Sequence, residues 1–387
     1  MKRREFLKYS AVAATLSTPI ITRSARAASS PLRVGVLIPL TGPAGLFGPS
    51  SRNCVEMGIQ EINARGGILG RKVEALYADA GLPPAEASQA ALRLWRGRKA
   101  EVLIGQHDSA VREAVVGMLN GQIPYIYTPV TEGGGCAPAT YVIGETPQQQ
   151  LTPVIPWLVE HRGTKRWYLI GNDYIWPRAS NAVAKEVINS HGGTVVGEEY
   201  VPFSVDNFDA SLTRIRDSGA DAVLVTLVGG ASVGFNRAFA SFGLPDKVLR
   251  LCTLLEENTL LGIGAQNADN LYSSAGYFAN LPSGAGREFA ERYRSQFNNA
   301  EAPLNGLAES CYEGLLLLEA MAAAAGSLDP ASTDKVAEGL GYDGPRGRIE
   351  LHSRYAAKNM YLAQAKGDDF EVIATFENVP PGQSCSS

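Results

Sequence analysis

One short segment has the spacing of a hydrolase nucleophile. Residues 230–234 read GASVG, a G-x-S-x-G sequence that follows an apolar run and precedes a helical pattern. In a nucleophile elbow, the serine stands at the tip of a strand-to-helix turn and a histidine on a later loop takes its proton. Here Gly229 and Gly230 already form the turn, so Ser232 is expected inside the helix, and only His352 follows it. We therefore predict no catalytic residue and keep an esterase using Ser232 as a remote alternative.

The cysteines do not form a metal-binding pattern. The chain has four histidines and no C-x-x-C pair, whereas zinc sites use closely spaced Cys and His ligands. We predict no metal site and no cofactor. An oxidising compartment permits one disulfide, but the spacing does not identify the pair. The five cysteines are Cys54, Cys136, Cys252, Cys311 and Cys385.

The amino terminus predicts export. A basic start, a modest apolar stretch over residues 9–21 and the small-residue site Ala25-Arg26-Ala27 form a signal peptide over residues 1–27. Residues 3–8, RREFLK, are similar to the twin-arginine consensus, so we expect the Tat export machinery as a partner. A Sec signal that holds two arginines is the alternative. Cleavage near Ala27 would leave a periplasmic protein of 387 − 27 = 360 residues.

Composition favours a globular, ligand-binding chain over a nucleic-acid-binding one. Hydrophobic residues make up 45% and charged residues 19% of the sequence, which is sufficient for a packed core. The formal net charge is −4, and no basic stripe or nucleic-acid motif is present. We therefore predict no nucleic-acid partner.

Strand-length apolar runs alternate with helix-period segments along the whole chain. The first series begins at residue 32, and a second series of similar element order begins near residue 148. Alternation of this kind predicts parallel sheets with helices on both faces. We predict an α/β fold of two doubly wound lobes joined by a multi-crossing hinge, with a ligand cleft between them. The predicted lobes are residues 31–143 plus 278–352 and residues 144–277 plus 353–380.

Several segments resemble one family over essentially the whole mature chain. VGVLIPLTGPAG (34–45), GIQEINARGGILGRKVEALYAD (58–79), IPYIYTP (123–129) and IGNDYIWPRASN (170–181) are similar to type I periplasmic solute-binding proteins of the branched-chain amino acid and amide class. The likeness is closest to the amide- and urea-binding branch. It implies a receptor that closes on an amide, urea or amino acid and delivers it to an ABC permease of the inner membrane. A ligand sensor that feeds a regulatory or signalling partner is the alternative.

The resemblance implies five ligand-binding positions in the first lobe. Ser109 begins a helix after a strand, where a hydroxyl beside free backbone N–H groups suits a ligand oxygen. His107 replaces an aromatic residue of the amide sensor and is expected to line the pocket. Tyr127 and Thr128 end the next strand, although this chain reads Tyr-Thr-Pro-Val where the sensor has Tyr-Pro-Thr-Pro. Phe47 matches a position at the mouth of the cleft.

Two aromatic residues are predicted to close over the ligand from the second lobe. Tyr174 and Trp176 follow a strand and begin a helix. Their alternate spacing in an extended turn aims both rings the same way. Packing at a helix start is the alternative for both residues.

Two further strand ends of the second lobe contribute predicted site residues. Leu227 and Val228 are expected to form a pocket wall. Glu256 or Glu257 is expected to bind the ammonium group if the ligand is an amino acid. The alternative is that these acids favour a helix dipole at an N-terminus.

Overall fold

A computed structural model describes residues 30–282 and 284–382 of the chain. The twin-arginine segment, the predicted cleavage point and Cys385 lie outside the described residues. Within them the chain folds into two α/β lobes, each with helices on both faces of a sheet.

The first lobe contains a parallel sheet in the order β2-β1-β3-β4-β5. Its strands are β1 (Leu32–Ile38), β2 (Val73–Asp79), β3 (Val102–Gly105), β4 (Tyr125–Tyr127) and β5 (Thr140–Val142). The helices between them are α1 (Gly48–Ala64), α2 (Pro84–Leu92) and α3 (Ser109–Leu119). Short helical turns over Gly45–Phe47 and Arg93–Gly97 precede α1 and follow α2.

The second lobe repeats this arrangement in the order β10-β9-β8-β6-β7. Its strands are β6 (Arg166–Asn172), β7 (Thr194–Val201), β8 (Ala222–Thr226), β9 (Leu249–Cys252) and β10 (Leu271–Ala275). Its helices are α4 (Pro147–Leu151), α5 (Val154–Arg162), α6 (Ile175–Ser190), α7 (Asp209–Ser218), α8 (Gly230–Ser241) and α9 (Glu257–Ile263), with a helical turn over Ala265–Asn267.

The rest of the chain returns to the first lobe and then joins the two sheets. It consists of α10 (Gly284–Gln296), α11 (Gly306–Ala325), α12 (Pro330–Val336), β11 (Gly341–Gly344), β12 (Gly347–His352), β13 (Tyr355–Lys366) and β14 (Asp369–Val379). Helix α11 packs against α1, and β13 pairs with β5 at its start and with β10 further on. The chain therefore passes between the lobes near residues 143–146 and 276–282, and again within β13, between Ala357, which pairs with β12, and Tyr361, which pairs with β10. The bounds that we assigned to the lobes remain a prediction.

Continuous apolar strands explain the two cores. Val34, Ile104 and Ile126 pack against Leu315 of α11 on one face of the first sheet, while Leu103 packs on the other face. Both faces are covered by helices, so these strands are apolar at nearly every position. Across the described ranges, no single helix is long and apolar enough to cross a membrane, and only α11 and α12, bent by 94°, meet the length and composition together.

A buried ion cluster lies at the hinge. Arg346 is 1% exposed and pairs with Glu145, which follows β5, and with Glu309 and Glu313 of α11. The Arg346 Nη1 to Glu145 Oε1 distance is 2.9 Å. Nearby, the buried Lys358 Nζ donates to the carbonyl of Ile143, and burial lowers the pKa of Lys358 to about 8. The cluster therefore ties the crossing segments to α11.

The cysteines of the described ranges include free thiols and one residue that is in a disulfide. Cys54, Cys252 and Cys311 are buried and free. Cys136 is disulfide-bonded. An oxidising compartment is the environment in which such a bond persists.

Candidate functional site

A cavity of about 170 Å³ lies between the two lobes. It stands at the carboxyl ends of parallel strands from both sheets, which is where α/β folds place their ligands. Most of its lining is apolar. The lining residues are Pro39, Pro43, Ala44, Phe47, Ala80, Gly81, Gln106, His107, Asp108, Ser109, Tyr127, Pro129, Val130, Tyr174, Phe203, Val228, Leu254 and Leu307.

The cavity volume limits the size of a ligand. An engineered apolar cavity of about 150 Å³ in another protein holds one benzene molecule. The volume of about 170 Å³ found here therefore suits a single ring, or a branched aliphatic group of similar size, with one small polar substituent.

The polar end of the cavity is built by the start of α3. Asp108 is the N-cap residue, and its carboxylate accepts from the backbone N–H of Val111 at 2.9 Å. Such a cap satisfies one of the unpaired donors of the first helical turn. Ser109 follows as the first helical residue, and its hydroxyl donates to Glu132 Oε2 at 2.6 Å. The hydroxyl hydrogen of Ser109 is therefore already engaged within the protein.

Glu132 joins Ser109 to a buried guanidinium. Arg112 is 5% exposed; its Nη2 donates to Glu132 Oε1, and its Nη1 donates to Thr131 Oγ1 at 2.7 Å. The carboxylate thus uses one oxygen for Ser109 and the other for Arg112. Charge-assisted bonds of this kind are stronger than neutral ones, which fixes the geometry of the polar end.

His107 lines the cavity as a neutral ring. Its Nε2 lies 2.8 Å from the Tyr125 hydroxyl, and its Nδ1 lies 3.1 Å from the carbonyl oxygen of Asp108. Burial, followed by the charge of Arg112, lowers the pKa of His107 to about 4. Both ring nitrogens have protein partners, so the ring offers a surface to a ligand instead of a hydrogen bond.

The second lobe covers the cavity with apolar side chains. The rings of Tyr174 and Phe203 stack obliquely with centroids 5.1 Å apart. Val228 and Leu254 complete this wall. Rigid aromatic groups supply a large contact area at a low cost in conformational entropy, so this wall suits the apolar body of a ligand.

Trp176 lies behind this wall. It is 1% exposed and packs in an apolar cluster with Phe47, Val228, Leu254 and Leu307, four residues that do line the cavity. Trp176 already belongs to the first turn of α6, whereas Tyr174 is the extended residue before it. Sequence reasoning treated both as one extended turn, so it expected the two rings to face the ligand together. The structure brings only Tyr174 to the cavity surface.

Four other predicted residues lie away from the cavity lining. The Thr128 hydroxyl donates to the carbonyl of Gly105 at 3.3 Å, and Leu227 packs in the core of the second lobe. Glu256 Oε2 accepts from the backbone N–H of Gly306 at 2.7 Å. Glu257 Oε1 accepts from that of Ala279 at 2.7 Å.

The two glutamates are buried, which changes their ionisation. Burial is the largest cause that raises the pKa of each above the ordinary value of 4.5, and the charge of Glu257 adds to the effect at Glu256. Glu256 comes from the second lobe and caps the start of α11. It acts there as a connection between elements.

Ser232 does not have the geometry of a nucleophile. It lies within α8, is 0% exposed, and its Oγ lies 3.4 Å from Asn236 Nδ2. His352 contacts Glu338 and Glu350. In the described part of the chain, no group of three or more His, Cys, Asp or Glu side chains is placed to hold a metal ion.

Several lining residues were missed by sequence reasoning, although a signal for them exists. Pro39 follows β1, Ala80 follows β2, Phe203 follows β7 and Leu254 follows β9. A rule that selects the residues after each parallel strand finds them all. Their side chains carry no distinctive chemistry, so residue type alone does not separate them from core residues.

Direct contacts join the two lobes beside the cavity. Asn258 of the second lobe donates to the carbonyl of Leu46 in the first lobe at 3.1 Å. Gly229 has φ +53° and lies so near Pro43 that a β-carbon would overlap the carbonyl oxygen of Pro43. Glycine is therefore required at this approach, both for its backbone conformation and for space.

The fold and the cavity between the lobes are typical of a two-lobed ligand-binding protein. A family model described as periplasmic binding protein matches residues 31–369. The chain belongs to this family. It is similar to Leu/Ile/Val-binding protein homolog 6 of Brucella melitensis biotype 1, with 26% identity over 363 residues, covering 89% of this chain and 92% of that protein.

Solved structures share the fold. A solute binding protein of an ABC transporter from Rhodopseudomonas palustris HaA2, in complex with p-hydroxybenzoic acid, has a TM-score of 0.82 and 22% identity, covering 91% of this chain and 98% of that chain. A second structure is the branched-chain amino acid transporter substrate binding protein LivJ from Streptococcus pneumoniae, in complex with isoleucine. It has a TM-score of 0.78 and 20% identity, covering 90% of this chain and 100% of that chain. These likenesses concern the fold.

Proposed function

We propose that the chain is a periplasmic solute-binding receptor that delivers a small ligand to an ABC permease. The ligand docks on the first lobe, and the second lobe closes over it without any bond being made or broken. The observation that carries this proposal is the cavity lined by both lobes at the carboxyl ends of their strands. Lobe closure around a ligand is an established way for such folds to bind.

The proposed ligand has an apolar body and one hydrogen-bonding head. The apolar residues of both lobes would contact the body, and Ser109 at the start of α3 would meet the head. A single aromatic ring or a branched aliphatic group matches the volume of about 170 Å³. The same size class includes the ligands named for the two solved structures above. Urea is smaller and would leave much of the apolar lining without a partner.

We also propose that the receptor is exported before it functions. The receptor would reach the periplasm through the Tat machinery, with cleavage near Ala27. Its functional partner would be the inner-membrane permease of the importer.

A ligand panel tests the proposed function. The purified protein would be mixed with branched-chain amino acids, hydroxybenzoates, amides and urea, and its melting temperature measured. A ligand at 100 times its Kd adds about 2.7 kcal/mol of stability, which is readily detected, and calorimetry would then give affinity and stoichiometry. We expect at least one single-ring or branched compound to bind with a stoichiometry of one. No binding by any member would contradict the proposed function.

A matched pair of variants locates the binding. Phe203 lines the cavity and is 38% exposed, whereas Leu261 on α9 of the same lobe is 46% exposed and lies elsewhere. Phe203→Ala should weaken binding roughly tenfold or more, which corresponds to about 1.4 kcal/mol. Leu261→Ala should leave the affinity unchanged. Equal effects of the two substitutions would place the ligand outside the cavity.

A further inference from the structure

The direction of one hydrogen bond determines what Ser109 can offer a ligand. A serine hydroxyl has one hydrogen to donate and two lone pairs that accept. The hydrogen of Ser109 is donated to Glu132 Oε2 at 2.6 Å. Ser109 lines the cavity. It therefore presents an accepting oxygen to the cavity while this bond is intact.

Glu132 is held firmly in the position that imposes this direction. Its side chain is 8% exposed, and its second oxygen accepts from Arg112 Nη2. Arg112 is fixed in turn by Thr131 Oγ1 at 2.7 Å. Rotation of Glu132 away from Ser109 would leave a nearly buried carboxylate with one fewer partner, which is costly.

Carboxyl groups outnumber cationic groups around this end of the cavity. Arg112 is the cation in contact with Glu132, and it also pairs with Glu113 at 2.9 Å. Asp108, which lines the cavity, adds a further carboxyl group. Two carboxylates thus contact the guanidinium of Arg112, although Glu113 is largely exposed and screened by water. Asp108 places a third carboxyl group near Glu132 without pairing with Arg112. A ligand carboxylate at this end would meet like charge and would have no hydrogen for Ser109 to accept.

We infer that Glu132 is a specificity-determining positioning residue that makes the site select a hydrogen-donating, uncharged head group and reject a carboxylate. The inference rests on the proposed function, because it concerns the ligand of the same cavity. An amide N–H or a hydroxyl group donates to Ser109 Oγ. Glu132 acts through Ser109 and Arg112.

The substitution Glu132→Gln reverses both effects while keeping the shape of the side chain. The glutamine amide donates to Ser109 Oγ, which frees the serine hydrogen for a ligand oxygen. The charge of Arg112 also loses its buried counterion. Both changes favour a carboxylate. Glu113→Gln is the matched control, because it removes a carboxylate from Arg112 without touching Ser109.

The test compares benzamide with benzoate, and isobutyramide with isobutyrate, by calorimetry. Each pair has the same body and differs in the head. We expect the wild type to prefer the amides, and Glu132→Gln to reduce the ratio of amide to carboxylate affinity at least roughly tenfold, or about 1.4 kcal/mol. Glu113→Gln should leave the ratio within a few-fold. A purely structural role of Glu132 would change stability and leave this ratio unaltered.

The outcomes separate the inference from the proposed function. Tighter binding of the carboxylates by the wild type, or an unchanged ratio in Glu132→Gln, would overturn the inference and leave the receptor function standing. Binding of none of the four probes would overturn the inference, and the proposed function falls with it only if the whole ligand panel also fails. If Glu132→Gln does not fold, Ser109→Ala provides the test: it should weaken amide binding and spare carboxylate binding, and the opposite result would overturn the inference.

Discussion

Glu256 is expected to make the stability of the folded chain fall as the pH rises. Burial and the charges of Glu257 and Glu145 raise its pKa, although Arg346 opposes them. The folded chain therefore keeps a proton that the unfolded chain has released, so stability is lost as the pH rises through the raised pKa. We predict that the melting temperature falls as the pH rises from 4.5, the ordinary pKa of a glutamate, through the raised pKa of Glu256, about 8.

The substitution Glu256→Gln tests this assignment. The glutamine Oε1 still accepts from the backbone N–H of Gly306, but it does not titrate. The variant should show a flatter melting profile over this pH window than the wild type, as measured by scanning calorimetry. A profile as steep as that of the wild type would mean that another group carries the dependence.

A second prediction is that export depends on the arginine pair at the amino terminus. The Tat receptor reads the two guanidinium groups themselves, so Arg3→Lys with Arg4→Lys should leave precursor in the cytoplasm although the charge is kept. Cell fractionation followed by immunoblotting measures this. Normal delivery of the double variant to the periplasm would indicate a Sec signal.

Two glycines at the start of α8 allow a test of whether closure of the lobes requires a close backbone approach. Gly229 has φ +53° and approaches Pro43 across the cleft, whereas a β-carbon at Gly230 meets no atom within 4 Å. Gly229→Ala should strain the turn and hinder closure, which weakens ligand binding roughly tenfold or more. Gly230→Ala should bind like the wild type. Equal affinity of both variants in calorimetry would show that closure does not require this approach.

The hinge cluster predicts that two arginines close together in the sequence contribute very differently to the stability of the fold. Arg346 is buried among three carboxylates, while Arg348 forms a 3.7 Å pair with Asp343 in which both side chains are exposed. Removing one partner of a buried ion network costs about 3–5 kcal/mol, and an exposed pair contributes about 0–1 kcal/mol. In urea denaturation, Arg346→Met should therefore be far less stable than Arg348→Met. Similar stabilities would mean that the cluster does not hold the hinge.

The architecture was readable from the sequence, because apolar strands that are buried on both faces leave a direct pattern. The alternation of strands and helices predicted the α/β fold, and the assignment of residues 278–352 to the first lobe stays a prediction. The antiparallel pairing of β13 with β10 was not anticipated. It joins strands that lie far apart along the chain, and no local pattern specifies such a partner.

The site was predictable to the extent that strand ends define it. Five predicted residues lie at or just after strand ends and line the cavity: His107, Ser109, Tyr127, Tyr174 and Val228. Their roles in binding remain predictions. The bond from Ser109 to Glu132 joins the first residue of α3 to a loop residue 23 positions further along the chain. A sequence pattern does not specify which side chain of one loop meets a given side chain of another.

The proposed mechanism of the whole molecule requires a ligand that both lobes hold at once. The direct measurement is a crystal structure of the protein with the tightest compound of the panel. We predict one ligand molecule, not covalently attached, with its head at Ser109 and its body against Tyr174 and Phe203. A ligand bound outside this cavity, or one that contacts only a single lobe, would contradict the proposed mechanism.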